Sequence, residues 1–166
     1  MHMNKDLYLL IGVPASGKTT YREQISESSS FTVISTDDEI ERYANDQSKT
    51  YDEVFEERIS TATAMSTRQF SEALNRQDSK ILIDRTNLTP KSRKQWVQRA
   101  KKNGYRVWAI VFRPPATPEQ HSEWRRRLRN RPGKTIPNHV LTNMLTTFTL
   151  PTPDEGITKI VHVDSW

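Results

Sequence analysis

The chain has 166 residues, no cysteine and a formal net charge of +5. This length suits one ordinary domain, and the lack of cysteine excludes a disulfide framework and a thiolate metal site. No apolar run approaches the roughly 20 residues that span a bilayer, so we expect one cytoplasmic domain over residues 1–166 with no membrane contact.

The charge is distributed unevenly along the chain. Residues 35–60 include nine acidic and three basic side chains, whereas residues 85–134 include fifteen basic and two acidic ones. A dense positive block favours phosphate-rich polymers, because each neutralised phosphate releases condensed counterions. A solvated basic surface is the other interpretation. We predict nucleic acid as the partner, DNA ahead of RNA, and no obligate protein partner.

Five short apolar runs alternate with helical stretches, which is typical of βαβ units around a mostly parallel sheet. The strands are predicted at residues 7–11, 31–35, 80–84, 107–112 and 158–163. The pattern predicts an α/β fold in which helices cover both faces of a five-stranded sheet.

The first strand leads into residues 12–19, GVPASGKT, which fit the phosphate-loop pattern G-x-x-x-x-G-K-[ST]. The two glycines permit a backbone that turns N–H groups toward an anion at a helix N-terminus. Lys18 is expected to contact the β- and γ-phosphates of ATP, and Thr19 to offer its hydroxyl to Mg²⁺. The predicted ATP-binding residues are Gly12, Pro14, Ala15, Ser16, Gly17, Lys18, Thr19, Thr20, Arg127 and Arg131.

Asp37 follows the second predicted strand, at the sheet edge where open α/β folds bind ligands. A kinase needs a carboxylate near the acceptor hydroxyl, and Asp37 is the best candidate. The run Thr36-Asp37-Asp38-Glu39 also fits a helix capping box. We assign Asp37 to the chemistry, and Asp38 and Glu39 to the helix start.

Three later helices are predicted. The longest covers residues 51–76, and the others begin near Pro90 and at Pro137. An apolar stripe on the longest helix predicts core packing. It consists of Tyr51, Val54, Phe55, Ile59, Ala62, Met65, Phe70, Ala73 and Leu74.

Asp84 ends an apolar strand and is placed to hold the Mg²⁺ shell together with Thr19. No glutamate follows Asp84, so the water-activating pair of motor ATPases is missing. The predicted cofactors are therefore ATP and Mg²⁺ in a phosphotransferase.

An arginine-rich stretch from residue 125 to 131 breaks at Pro132-Gly133, which predicts a mobile lid over the triphosphate. Arg131, at the break, is the candidate for stabilising the transferring phosphoryl group. The predicted catalytic residues are thus Lys18, Asp37 and Arg131. Trp124, beside the arginines, is a candidate for stacking on a base.

Taken together, these residues resemble the kinase domain of polynucleotide kinases, P-loop enzymes that phosphorylate a 5′-hydroxyl end of DNA or RNA. The resemblance covers residues 7–145. It rests on residues 12–19, Asp37, Asp84-x-Thr86-Asn87 with Pro90 and Arg93, and Arg131-x-Gly133-Lys134 leading to Ile136-Pro137 and Val140-Leu141. It implies a P-loop NTPase fold with Asp37 as general base, and an acceptor site lined by Thr86 and Asn87.

The chain departs from that family at two positions. The viral member it most resembles has arginine directly before the catalytic aspartate and again three residues after it, and the second arginine binds the phosphate next to the acceptor nucleotide. This chain has Thr36 and Ile40 at these positions. Arg85 is a candidate for restoring the lost phosphate contact. The predicted acceptor-binding residues are Asp37, Arg85, Thr86 and Asn87.

Several acceptors stay open. A 5′-hydroxyl end is the first hypothesis, and a hydroxymethylated base within phage DNA, such as 5-hydroxymethyluracil, is the second; such a target has to be flipped into a pocket. A phage-encoded protein would act in the host cytoplasm. The basic block disfavours a mononucleotide or small-molecule kinase, and Asp37 with the lid disfavours a non-catalytic nucleotide-dependent binding module.

Overall fold

The computed structural model describes residues 4–166, so the first three residues of the predicted domain lie outside it. The strands are β1 (Asp6–Ile11), β2 (Thr32–Ile34), β3 (Lys80–Ile83), β4 (Arg106–Phe112) and β5 (Lys159–Val163). The helices are α1 (Lys18–Ser28), α2 (Thr36–Asp46), α3 (Tyr51–Arg76), α4 (Pro90–Lys102), α5 (Pro118–Arg129) and α6 (Asn138–Thr147), with a short 3₁₀ turn at Pro153–Glu155. Within residues 4–166, no helix is long and apolar enough to cross a bilayer.

The five strands form one sheet in the order β2-β3-β1-β4-β5, and every pairing is parallel. This confirms the predicted α/β class and all five strands, with ends that differ by at most one residue. β1 lies at the centre, and its Leu7, Leu9 and Ile11 are fully buried, as expected for a parallel strand covered on both faces.

Helices cover both faces of the sheet, as predicted. On one face, Phe70 of α3 and Trp96 of α4 pack in the larger core, with ring centroids 5.1 Å apart. On the other face, Tyr21 and Ile25 of α1 pack against a smaller cluster that includes Phe112. The loops at the carboxyl ends of the strands are therefore held from two sides.

The predicted stripe on α3 forms core only over part of its length. Val54, Ala62, Phe70 and Ala73 are buried, but the side chain of Phe55 is 38% exposed. The apolar residues in the first turns of α3 pack against α2, which covers the Val54 side of the helix. The assignment of Phe55 to the core is therefore wrong.

α2 begins one residue earlier than the predicted capping box implies. Ser35 is the N-cap, and its Oγ accepts a hydrogen bond from the backbone N–H of Asp38 at 3.2 Å. Thr36 is buried, and its hydroxyl lies 3.3 Å from that of Ser66 on α3. Glu39 is also buried and accepts a hydrogen bond from Arg58 of α3 at 2.7 Å, so it joins the two helices as well as belonging to the first turn.

Arg93 of α4 is fully buried beneath the loop that follows β3. Its guanidinium donates to both carboxylate oxygens of Glu155, at 2.8 and 3.1 Å, and to the carbonyls of Asn87 and Thr149, each at 3.0 Å. One side chain therefore connects the loop after β3 to the segment after α6.

Replacing Arg93 by alanine should destabilise the fold strongly, because it leaves Glu155 and two carbonyls without their donor. We expect a loss of about 3 kcal/mol in the free energy of unfolding, measured by urea denaturation. The control is Arg68→Ala, which removes an exposed ion pair with Glu72 at 3.9 Å and should cost less than about 1 kcal/mol. Equal losses in both variants would contradict this role of Arg93.

Candidate functional site

The loop between β1 and α1 has the backbone geometry of a phosphate cradle. Ala15 and Gly17 adopt left-handed conformations, with φ of 59° and 107°, and Gly17 is the N-cap of α1. A Cβ at Gly17 would lie 3.0 Å from the Cβ of Ser165, so the position also lacks space for a side chain. Ser16 is buried, and its hydroxyl has no hydrogen-bond partner among the residues described. The loop fits a bound nucleotide phosphate.

Lys18 points back into this loop, and its Nζ donates to the carbonyl of Gly12 at 2.6 Å. Burial lowers the pKa of Lys18 to about 8, although the negative charges of Asp84 and Asp37 act in the opposite direction. The positive charge of Arg131 lowers that pKa further. The charges of Asp84, Asp37 and Arg131 therefore all affect the pKa of Lys18.

A cleft of about 1590 Å³ opens at the carboxyl edge of the sheet, and most of the predicted site residues line it. They are Pro14, Ala15, Gly17, Lys18, Thr19, Thr20, Asp37, Asp84, Arg85, Thr86, Arg127 and Arg131. Gly12 and Ser16 are buried within the loop itself.

Asp37 lies in the first turn of α2, and its side chain is 56% exposed. The hydroxyl of Tyr51 donates to its Oδ1 at 2.7 Å, and the Nζ of Lys134 is 4.0 Å from its Oδ2. Burial, followed by the charge of Asp37, raises the pKa of Tyr51, so this tyrosine remains a proton donor. The carboxylate is held from α3 and from the lid, and it stays accessible to a substrate.

Asp84 and Asp38 share one guanidinium. Arg22 of α1 donates to Asp84 at 2.9 Å and to the two oxygens of Asp38 at 3.1 and 2.5 Å. Burial favours protonation of Asp38, but the hydrogen bond and charge of Arg22 outweigh burial and lower its pKa.

Few protein side chains are placed to bind the predicted Mg²⁺ ion. Within residues 4–166, no group of three or more His, Cys, Asp or Glu side chains could hold a metal. Thr19 and Asp84 nevertheless line the same cleft. One hydroxyl and one carboxylate fit Mg²⁺, which usually completes its shell with substrate phosphates and water.

The predicted break in the arginine-rich stretch is present between α5 and α6. Arg131 lines the cleft, and its Nη1 is buried without a partner among the described residues. The following turn contacts α3: the N–H of Asp52 donates to the carbonyl of Gly133 at 2.9 Å, and the N–H of Thr135 donates to the Asp52 carboxylate at 3.0 Å. The predicted lid segment, from Arg131 into α6, therefore lies against the first turn of α3.

Only part of the basic block faces the cleft. Arg93 is buried, and Arg106 forms an ion pair with Asp6 at 2.7 Å. Among the fifteen basic residues of this block, those that line the cleft are Arg85, Arg126, Arg127, Arg131 and Lys134. Contact between this cleft and a phosphate polymer stays a prediction, and these five side chains, instead of all fifteen, are the cations of the block that support it.

The segment after β5 packs on the phosphate loop, a contact that no sequence pattern predicts. The hydroxyl of Ser165 donates to the carbonyl of Ser16 at 2.5 Å. Arg127 donates to the carbonyls of Ser165 at 2.6 Å and Ala15 at 3.3 Å, and lies 4.4 Å from the ring centroid of Trp166. The segment after β5 therefore supports the phosphate loop at Ala15 and Ser16, either directly or through Arg127.

Two sequence-based roles disagree with the structure. Asn87 is buried, with φ of 50°, and its amide donates to the carbonyl of Leu10 at 2.8 Å, so it shapes the loop after β3 and does not line the cleft. Trp124 is buried, and its Nε1 donates to the carbonyl of Pro14 at 2.6 Å, so it is not available to stack on a base. Conversely, Tyr51 and Phe55 face the cleft although their spacing suggested core.

Known proteins share both this sequence pattern and this fold. A family model described as AAA domain, AAA_33, matches residues 7–151. A putative kinase from Chloroflexus aurantiacus is similar, with a TM-score of 0.68, 15% identity, and coverage of 99% of this chain and 87% of that one. A fungal RNA kinase has a TM-score of 0.59, 17% identity, and coverage of 99% and 77%.

A sugar kinase from Janibacter sp. HTCC2649 is as similar in fold as the RNA kinase, with a TM-score of 0.59, 20% identity, and coverage of 96% and 85%. The chain spans between 43% and 88% of the length of the similar structures that were compared. These likenesses show a P-loop kinase-like fold and leave the acceptor open.

The lowered pKa of Lys18 predicts that ATP affinity falls as the pH rises. With a pKa of about 8, Lys18 in the free protein is mostly charged at pH 7 and mostly neutral at pH 9. A bound phosphate keeps Lys18 protonated, so binding at pH 9 requires uptake of a proton. The dissociation constant of Mg²⁺-ATP should therefore rise about tenfold from pH 7 to pH 9, measured by calorimetry. Lys18→Arg should abolish this dependence because arginine stays charged; the same slope in that variant would contradict the assignment.

Proposed function

Because this chain belongs to the AAA domain family AAA_33, we propose that it is a kinase that transfers the γ-phosphoryl group of ATP to a hydroxyl on nucleic acid, with a 5′-hydroxyl end as the first candidate. One observation carries the proposal. The accessible carboxylate of Asp37 shares a cleft with Lys18 and with Arg131, whose buried Nη1 has no hydrogen-bond partner among residues 4–166. A base for an acceptor and two cations for a phosphoryl group are what such a transfer requires.

The proposed reaction has one displacement at phosphorus. Asp37 accepts the proton of the acceptor hydroxyl, whose oxygen forms a bond to the γ-phosphorus while the bond to the β,γ-bridging oxygen breaks and ADP leaves. Tyr51 orients Asp37 through its hydrogen bond, and Lys18 and Arg131 stabilise the charge on the γ-phosphoryl oxygens. Mg²⁺, held by Thr19 and Asp84, would neutralise charge on the phosphates.

Nucleic acid is supported as acceptor by the resemblance to polynucleotide kinases and by Arg85 and Thr86. Both lie directly after β3 and line the cleft. A guanidinium at this place suits a phosphate next to the acceptor nucleoside. Asn87 is not part of this support.

A hydroxymethylated base within phage DNA is the second candidate acceptor. Thr36 and Ile40 stand where the viral family member has arginines, of which the one at the Ile40 position binds the phosphate next to the acceptor nucleotide. Both residues are buried in this chain. The α2 side of the cleft therefore offers no arginine at these positions for a terminal phosphate. An internal, flipped base would not need one.

One assay separates these acceptors. The protein is incubated with γ-labelled ATP and Mg²⁺, in parallel with a 5′-hydroxyl oligonucleotide, duplex DNA containing 5-hydroxymethyluracil, free nucleosides and simple sugars. Label on the oligonucleotide end supports the first candidate, and label on internal bases only supports the second. Label on nucleosides or sugars alone would overturn a nucleic-acid acceptor, and ATP binding without any transfer would indicate a binding module.

The substitution Asp37→Asn tests whether Asp37 acts as the general base. We expect the turnover number to fall by about 10² to 10⁴, while the dissociation constant for ATP changes little, because Asp37 acts on the acceptor and not on the donor. Asp46→Asn, at the other end of α2, is the control and should retain wild-type turnover. Near-normal turnover in Asp37→Asn would leave this residue with only a role at the helix start.

Arg131→Ala tests the stabilisation of the phosphoryl group. We expect a fall in turnover of about 10³, measured at saturating ATP and acceptor. The matched control is Arg129→Ala, which removes an exposed arginine at the end of α5. Equal effects in the two variants would indicate that only the general positive charge of the lid matters.

A further inference from the structure

An exposed aromatic surface lies inside the cleft. Within residues 4–166, Phe55 and Leu150 are the large hydrophobic side chains with high exposure, and of these Phe55 lines the cleft. Tyr51, one helical turn earlier on α3, packs against Phe55 with ring centroids 5.6 Å apart and an angle of 37° between the rings. The two rings therefore form a continuous surface on one side of the helix.

This aromatic surface begins next to Asp37, the proposed general base. The hydroxyl of Tyr51 donates to Oδ1 of Asp37 at 2.7 Å. An acceptor whose hydroxyl reaches Asp37 therefore has the rings of Tyr51 and Phe55 beside the rest of its structure.

The lid segment supplies an apolar wall to the same cleft. Ile136, Pro137, Val140 and Met144 all line it. The hydrogen bond from the N–H of Thr135 to the carboxylate of Asp52, at 3.0 Å, holds the start of this wall at the first turn of α3. The cleft thus has apolar groups on both the α3 side and the lid side.

The charges around the rings determine how a nucleotide could lie there. Asp52, Glu53 and Glu56 of α3 line the cleft and repel phosphate groups from this helix. The positive charge nearest to the rings belongs to Lys134, whose Nζ lies 4.7 Å from the ring centroid of Tyr51 and forms an ion pair with Glu41. Arg85 lines it from the end of β3. A flat, uncharged group fits toward α3, and an attached phosphate fits toward Arg85.

We propose that Tyr51, Phe55 and the apolar wall of the lid segment form a slot for the nucleobase of the acceptor, with the adjoining phosphate directed to Arg85. The inference rests on the proposed function and narrows it, because an acceptor without a flat base, such as a sugar, would leave the ring of Phe55 exposed. Bases of any sequence stack on aromatic side chains, so the slot selects a nucleoside and not a particular base.

Binding is tested separately from chemistry. The probe is a short 5′-hydroxyl oligonucleotide with 2-aminopurine as its terminal base, titrated with the protein in the presence of Mg²⁺ and a non-hydrolysable ATP analogue. Stacking in the slot should quench the fluorescence of 2-aminopurine. Phe55→Ala should weaken binding about tenfold and remove most of the quenching, whereas Phe55→Trp should retain both.

Leu150→Ala is the control, since it removes the other exposed large hydrophobic side chain, 52% exposed, which is not among those lining the cleft. It should bind and quench like the wild type. Wild-type quenching and affinity in Phe55→Ala, or the same loss in Leu150→Ala, would overturn the slot.

A turnover comparison distinguishes failure of the slot from failure of the proposed function. The wild type is assayed on the same oligonucleotide with either a normal or an abasic terminal nucleoside. We expect kcat/KM to be about tenfold higher with the base, and Phe55→Ala to abolish that preference. Transfer that is independent of the base overturns the slot and leaves the kinase standing; Phe55-dependent quenching without any transfer supports the slot and overturns the kinase.

Discussion

The parallel pairing of β1 with both β3 and β4 is the constraint on which the site depends. Leu9 lies opposite Ile83, the last residue of β3, and Ile11, the last residue of β1, lies opposite Val111, so the carboxyl ends of the three strands lie at the same edge of the sheet. The phosphate loop follows β1, and Asp84 follows β3. Since β2 pairs with β3 in parallel, Asp37 comes to the same edge. A sheet with any of these strands reversed would send one of the groups to the opposite edge.

The side of the cleft around Asp37 depends on polar contacts that converge on the start of α3. Tyr51 holds Asp37, and Asp52 holds the turn that begins at Arg131. Lys134, in the same turn, forms ion pairs with Glu41 and Asp37. Displacement of the lid would therefore change the surroundings of Asp37 as well as the position of Arg131.

The sequence predicted well those features that depend on local pattern. The strands, the bounds of α3 and the phosphate loop follow from short-range periodicity and glycine placement. Features that depend on what packs nearby were not predictable. Phe55 continues the apolar spacing of α3 but stays 38% exposed, and Asn87 fits a family motif although its amide donates to the backbone carbonyl of Leu10. Likewise, a count of positive charges could not reveal that Arg93 is buried.

The contact between Ser165 and the phosphate loop has a consequence for how the protein is made. The hydrogen bond from Ser165 to Ser16 spans 149 residues, and β5 reaches the central strand only through β4. Chains are synthesised from the N-terminus, and contacts between distant segments form late. The loop that is translated among the first residues therefore acquires its rear support only after β5 has left the ribosome, and until then the nascent chain carries an incomplete nucleotide site.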